Sequence, residues 1–149
     1  MSDAVQSAEL VQTNAGLRAE VQGLGAGVSS VFSSIQGDDF ASRKKVVSAV
    51  TDSQPLREHL GEVINLKDVV VQVVAMENEQ TKQLEDQPRV ILIDDAGNSY
   101  HAISGVILKD VQNLMGILGQ PHTWPEPVPV AVKEQQSGNK RRFMTLTLV

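Results

Sequence analysis

The chain has 149 residues, of which 41% are hydrophobic and only 3% aromatic, and its formal net charge is −5. This length is typical of one compact domain with an appendage, and the low aromatic content means that aliphatic residues must fill the core. The absence of cysteine excludes disulfides and thiolate chemistry, and no apolar run approaches the ~18 residues of a membrane span.

Residues 1–30 differ in composition from the rest, being rich in Ala, Gly, Ser and Gln. From Leu10 onward, residues at alternating spacings of four and three form an a/d-like stripe. This pattern predicts a helix from about Ala4 to Gln22, and the glycines after it predict a flexible hinge. We expect an N-terminal arm, partly helical or flexible. It could join copies of the chain into a homo-oligomer or bind a partner, or it could be only a frayed end.

Two helices are predicted next. The stretch "GDDFASRKKVVSAV" (37–50) predicts a helix capped by Asp38 or Asp39. The stretch "TDSQPLREHLG" (51–61) predicts a second, short helix with Pro55 in its first turn. The apolar face expected of the first helix consists of Phe40, Val46, Val47 and Val50.

Strands dominate the remainder of the chain. Residues 62–76 predict a long strand, and residues 88–95 and 99–104 predict a hairpin around the turn "DAGN". A helix is predicted over residues 105–118, and a closing hairpin over 128–149. The resulting order β-β-β-α-β-β is that of the OB-fold, a five-stranded, partly open barrel. We therefore expect a mainly β domain over residues 31–149, with helices preceding the barrel.

Alternation along the strands separates a core face from an outward face. In "RRFMTLTLV", Met144, Leu146 and Leu148 are expected to face the core, so Arg141 and Phe143 face outward. In the strand before it, Val128, Val130 and Val132 face the core and Lys133 faces outward. Taking Ile103 as the core side of "SYHAIS" places His101 inward and Tyr100 outward.

Outward aromatic rings beside cations are suited to unpaired bases, because a ring offers a stacking face and the cations offer charge for phosphates. The cations could instead form only a solvated turn or a wet helix face, and the rings could be covered by the preceding helices. The candidate nucleic-acid-binding residues are Tyr100, Lys133, Lys140, Arg141, Arg142, Phe143 and, on the first predicted helix, Arg43, Lys44 and Lys45.

Motifs for catalysis or metal binding are missing from the sequence. His59, His101 and His122 lack the spacing of zinc ligands, and there is no Walker loop or nucleophile elbow. We expect a protein without cofactor, metal or enzymatic activity. Trp124, between prolines, is expected to close the open end of the barrel.

Four stretches form a longer pattern: "GDDFASRKKVVSAV", "LREHLGEVINLKDVVVQ", "RVILIDDAGNSYHAIS" and "PVAVKEQQSGNKRRFMTLTLV". Together they resemble a family of small single-stranded DNA-binding proteins encoded by phages of Gram-positive bacteria. The resemblance covers about residues 31–149 and implies an OB-fold that coats single strands during phage DNA replication or recombination. It also implies the cytoplasm of the bacterial host, with phage or host replication proteins as potential partners. The alternative is a non-catalytic protein-interaction or structural module.

Overall fold

The computed structural model describes residues 31–149 of the chain. The helix predicted at about residues 4–22, and the hinge after it, lie outside the described residues. Residues 31–149 form a seven-stranded sheet and two α-helices. In chain order the elements are β1 (Val31–Ser33), α1 (Phe40–Thr51), β2 (Gln54–Pro55), β3 (Val63–Glu77), β4 (Leu84–Asp94), β5 (Ser99–Ile103), α2 (Gly105–Leu118), β6 (Val128–Gln136) and β7 (Arg142–Leu148).

The sheet has the order β2-β5-β4-β3-β6-β7, with β1 paired to β3 beside this path. All pairings are antiparallel except that of β2 with β5. The sheet curls into a half-barrel, so the mainly β prediction is confirmed and the arrangement is consistent with an OB-like fold. The count of five strands is too low for residues 31–149, because the very short β1 and β2 also join the sheet.

A large hydrophobic core lies on the inner face of the half-barrel, where α2 packs against the strands. The helix spans residues 105–118, as predicted, and the Ser104 hydroxyl caps it by accepting a hydrogen bond from the Ile107 N–H at 3.1 Å. Trp124 is half-buried against the same core, and its indole N–H donates to the Gly119 carbonyl at 3.0 Å. The residues that α2 buries are Ile107, Leu108, Val111 and Met115.

A smaller cluster lies on the outer face, where Ala49 of α1 packs with Val70, Ile91 and Ile93. Arg89 fastens the end of this helix to the sheet, since its guanidinium donates to the Val50 carbonyl oxygen from both terminal nitrogens, each at 3.3 Å. A cation is favourable here because the last carbonyls of a helix have no partner within it. α1 therefore covers the outer side of β3, β4 and β5.

The apolar face predicted for α1 is only partly correct. Val46 and Val50 pack against the outer cluster, but Phe40 is 73% exposed and Val47 is 60% exposed. The buried face is centred on Ala49, which points to the opposite side of the helix from Phe40, nine residues earlier. The small side chain of Ala49 lets the helix approach the sheet closely.

The second predicted helix, over residues 51–61, is only partly correct. Gln54 and Pro55 form β2, which pairs with Tyr100 and His101 of β5, and a single 3-10 turn follows over Leu56–His59. Leu56 is only 1% exposed and belongs to the inner core. Sheet pairing and burial of one leucine therefore override the local helical pattern.

The loop predicted between the first two long strands is shorter than expected. β4 begins at Leu84, four residues before the predicted strand, because Leu84 to Gln87 continue the pairing with β3 as far as Glu77. The turn between β4 and β5 is as expected, with Gly97 at φ 88° and the Asp94 carboxylate accepting from the Ala96 and Asn98 N–H groups.

One carboxylate of α2 lies at the outer edge of β7. The same Asp110 oxygen accepts from the Thr145 hydroxyl at 2.8 Å and from the Leu146 N–H at 3.0 Å. β7 is the last strand of the sheet, so the outward Leu146 N–H has no neighbouring strand to bond with. The Asp110 side chain of α2 is its acceptor instead. Among residues 31–149, no helix is long and apolar enough to cross a membrane.

Candidate nucleic-acid interface

The β6–β7 hairpin has two chemically different faces. Val132 pairs with Leu146, and Val130, Val132 and Leu146 all contact the inner core, as the alternation predicted. Met144 packs there too, whereas Leu148, predicted to face the core, is 66% exposed because it lies near the end of the strand.

Phe143 lies on the other face of the hairpin. It pairs with Gln135, is half-buried, and contacts neither of the two hydrophobic clusters in residues 31–149. Lys133 pairs with Thr145, two residues along each strand from the Gln135–Phe143 pair, and is exposed. Residues in this diagonal relation lie roughly 7–8 Å apart, within reach of long side chains. A ring and an ammonium group therefore share the outer surface of the hairpin.

The tip of the hairpin carries exposed cations. The Lys140 N–H donates to the Ser137 carbonyl at 2.9 Å, and the Ser137 N–H donates to the Arg141 carbonyl at 2.8 Å. Lys140 closes this turn with φ at 60°, in the left-handed region that glycine adopts most easily. A side chain in this region costs about 1–2 kcal/mol, so a lysine stands where the backbone favours glycine.

Arg142 lies on the inner side of the hairpin and shares a carboxylate with a cation from outside it. Glu134 accepts from Arg57 at 3.1 Å and lies 3.5 Å from Arg142. No pattern in the sequence indicated Arg57, because a lone arginine in a short turn carries no signal. Two guanidinium groups around one carboxylate leave this part of the surface with net positive charge.

The predicted orientation of β5 is wrong. Ala102 is buried in the inner core and Tyr100 packs against it, while Ile103 is 44% exposed on the outer side. The Tyr100 ring meets the edge of His59, with centroids 4.7 Å apart, and its hydroxyl donates to Asp94 at 3.3 Å. Burial, and then the Asp94 carboxylate, raise the pKa of Tyr100 above its ordinary value. Tyr100 is thus half-buried, and its ring is not an open stacking face.

His101 is likewise on the outer side, not in the core as predicted. Its Nδ1 lies 2.8 Å from the Ser53 hydroxyl, which also accepts from Arg89 at 3.0 Å. Burial, followed by the nearby Arg89 charge, lowers the pKa of His101 below its ordinary value of 6.5.

No three His, Asp or Glu side chains of residues 31–149 are grouped so that they could hold a metal ion.

The other predicted cations, Arg43, Lys44 and Lys45, are all exposed on α1. Lys44 and Lys45 line a cavity of about 600 Å³, together with Lys67 and the β4–β5 turn. The predicted residues thus form two basic clusters on different elements. Lys133, Lys140, Arg141, Arg142 and Phe143 lie together on the β6–β7 hairpin, which we call the hairpin cluster, and the three α1 cations form a separate helix cluster.

A family model described as Phage Single-stranded DNA-binding protein matches residues 26–149, which is most of the chain. The match includes both basic clusters, and it confirms the resemblance that the sequence showed. No curated protein and no solved structure matches the chain. The chain belongs to the family of phage single-stranded DNA-binding proteins.

Proposed function

We propose that this protein binds single-stranded DNA with little sequence preference and coats strands exposed during phage DNA replication or recombination. It acts without catalysis or a cofactor, in the cytoplasm of the bacterial host. β3 to β7 and α2 correspond to the β-β-β-α-β-β order of a five-stranded OB barrel, to which β1, β2 and α1 are additions. Residues 1–30 would supply contacts to further copies or to replication proteins.

The observation that carries this proposal is the outer surface of the β6–β7 hairpin, where the half-buried Phe143 lies near the exposed Lys133. Stacking on an aromatic ring is worth roughly 1–3 kcal/mol per base and is tolerant of sequence, because every base has a π-face. Lys133, Lys140, Arg141 and Arg142 would contact phosphates, which are present in any sequence.

The remaining candidates have lesser roles. Tyr100 packs against the inner core, on the other face of the sheet from Phe143, so we give it no stacking role in the hairpin site. Arg43, Lys44 and Lys45 of the helix cluster add positive charge for phosphates. Acidic groups elsewhere explain the net charge of −5, and they do not conflict with a local cationic surface.

The test is a gel-shift titration with a labelled dT strand and with a duplex of equal length. We expect the single strand to bind more tightly, and we expect affinity to fall steeply with salt because binding releases counterions. Replacing Arg141 and Arg142 together by Ala should flatten the plot of log affinity against log salt concentration, with a loss of about two phosphate contacts. A protein that binds neither strand, or a double variant with the slope of the wild type, would contradict the assignment.

A further inference from the structure

We propose that α1 provides a second stacking platform for the same single strand, with Phe40 as its aromatic residue. This inference rests on the proposed function and extends it to a residue outside the candidate binding site. The sequence pattern placed Phe40 on the apolar face of α1. Phe40 is 73% exposed, an unusual position for a large apolar side chain in a chain with so few aromatic residues.

Phe40 has cations on the next turn of α1, and the exposed Asp38 and Asp39 precede it in sequence. The Lys44 ammonium lies 4.7 Å from the centroid of the Phe40 ring, which is a cation–π geometry. Lys44 is one helical turn further along α1, and Arg43 and Lys45 flank it in sequence. An exposed ring with an ammonium group over it is a combination that single-stranded nucleic acid uses, because a base can stack on the ring while a phosphate meets the cation.

The helix cluster lies on the same side of the sheet as Phe143. α1 packs on the outer face through Ala49, and Phe143 lies on the hairpin face opposite the residues that contact the inner core. β7, β6, β3 and β4 are consecutive in the sheet, so about 15 Å, measured across the strands, separates β7 from the middle of α1's footprint. An offset along the strands adds to this distance, because Phe143 pairs with Gln135, four residues beyond the partner of the first residue of β3. Only a long single strand could therefore reach both clusters.

Both clusters also lie toward the same end of the half-barrel. Lys44 and Lys45 line a cavity with the β4–β5 turn, and this turn lies near the start of β3 because Asp94 pairs with Leu66. β6 pairs with the first residue of β3 at Ala131 and then continues to Gln136, so the hairpin extends beyond that same end. A strand that leaves Phe143 would therefore pass toward α1.

The test compares Phe40→Ala with wild type on dT oligonucleotides of about 4 and about 16 nucleotides, which bracket the site sizes of OB folds. The longer strand should lose at least about fivefold in affinity, whereas the shorter strand, which fills only the hairpin cluster, should bind unchanged. Val47→Ala is the matched control, since Val47 is 60% exposed on the same helix and has no ring. Both side chains are exposed, so unfolding midpoints should stay at the wild-type value.

A second readout does not depend on affinity. Long strands with 5-iodouracil should crosslink to the peptide that contains Phe40, in addition to the peptide that contains Phe143. If Phe40→Ala and Val47→Ala bind the long strand as wild type does, while Phe143→Ala binds it weakly, the second platform is refuted and the proposed function stands. Equal losses on both lengths would also refute it, by placing Phe40 in the primary site. A wild-type protein that binds no single strand would refute both proposals.

Discussion

Lys82 and Lys140 share one backbone conformation, each with φ at 60°, in the loops of two different hairpins. The Lys140 N–H donates to the carbonyl of Ser137, and the Lys82 N–H donates likewise to the carbonyl of Asn78. A second hydrogen bond closes each loop: the Ser137 N–H donates to the Arg141 carbonyl, and the Asn78 N–H donates to the Gln83 carbonyl. In both loops the acceptor is the residue that follows the lysine. The β3–β4 and β6–β7 hairpins therefore end in similar turns, the first one residue longer, each with a lysine where glycine is the least strained residue.

This shared lysine conformation gives a prediction with an internal control. Lys140→Gly and Lys82→Gly should each raise the free energy of unfolding by up to about 1 kcal/mol, because relief of left-handed strain exceeds the extra flexibility of glycine in the unfolded chain. Only Lys140→Gly should also weaken binding to a dT strand and lower the salt slope. Urea unfolding and salt-dependent anisotropy measure the two effects. Equal losses of affinity in both variants would contradict the restriction of the site to the β6–β7 hairpin.

Glu134 competes with phosphates for Arg57 and Arg142, because its carboxylate lies 3.1 Å and 3.5 Å from their guanidinium groups. We expect Glu134→Gln to raise the affinity for single-stranded DNA several-fold and to steepen its salt dependence. Unfolding should change by less than about 1 kcal/mol, because exposed ion pairs contribute little. Glu126→Gln is the control, since it removes the same charge from an exposed position in the proline-rich connection. Equal gains in both variants would attribute the effect to net charge alone.

Arg89 links α1 to the sheet through hydrogen bonds to the Val50 carbonyl, the Ser53 hydroxyl and the Gln72 side chain. Arg89→Ala leaves these half-buried acceptors without their donor, so we expect a loss of about 1–3 kcal/mol in the free energy of unfolding. Arg43→Ala, on the exposed side of the same helix, should change it by less than about 0.5 kcal/mol. Chemical denaturation of both variants measures this. Equal effects would show that Arg89 does not anchor the helix.

The lowered pKa of His101 makes stability depend on pH. The folded protein binds the proton less tightly than the unfolded chain, so the full contribution is present above about pH 6.5 and is lost as the pH falls below it. We expect the free energy of unfolding to fall more steeply from pH 7 to pH 5 in wild type than in His101→Gln. Parallel profiles would show that His101 does not contribute.

The sequence predicted those strands in which only one face is strongly apolar. Val128, Val130 and Val132 alternate with less apolar neighbours, so the orientation of β6 was predicted correctly. In β5 both faces include an apolar residue, Ala102 on one and Ile103 on the other, so alternation could not separate them. In the structure the small Ala102 is buried in the inner core and Ile103 is exposed. Tertiary packing, not the local pattern, determines this orientation.

The site was predictable to a similar extent. Phe143 and the cations of the hairpin are neighbours in sequence, so their proximity followed from the strand pattern. Arg57 reaches Glu134 across 77 positions of the chain, and no local pattern could indicate that contact. Phe40 was missed because an aromatic residue at the start of an amphipathic helix suggests burial, and only the packing of Ala49 shows that the ring is left outside.

The carboxylate of Asp110 limits how copies of this protein can assemble along a nucleic acid. It occupies the Leu146 amide midway along β7, and at the opposite end of the sheet order β2 contributes only two residues. Within residues 31–149, Asp110 therefore blocks continuous strand addition at the middle of β7, and β2 is too short to act as a template for it. If copies of this protein lie side by side on a single strand, they would not be joined by a continuous sheet through β7 or β2, so a copy could join or leave without breaking backbone hydrogen bonds at those two edges.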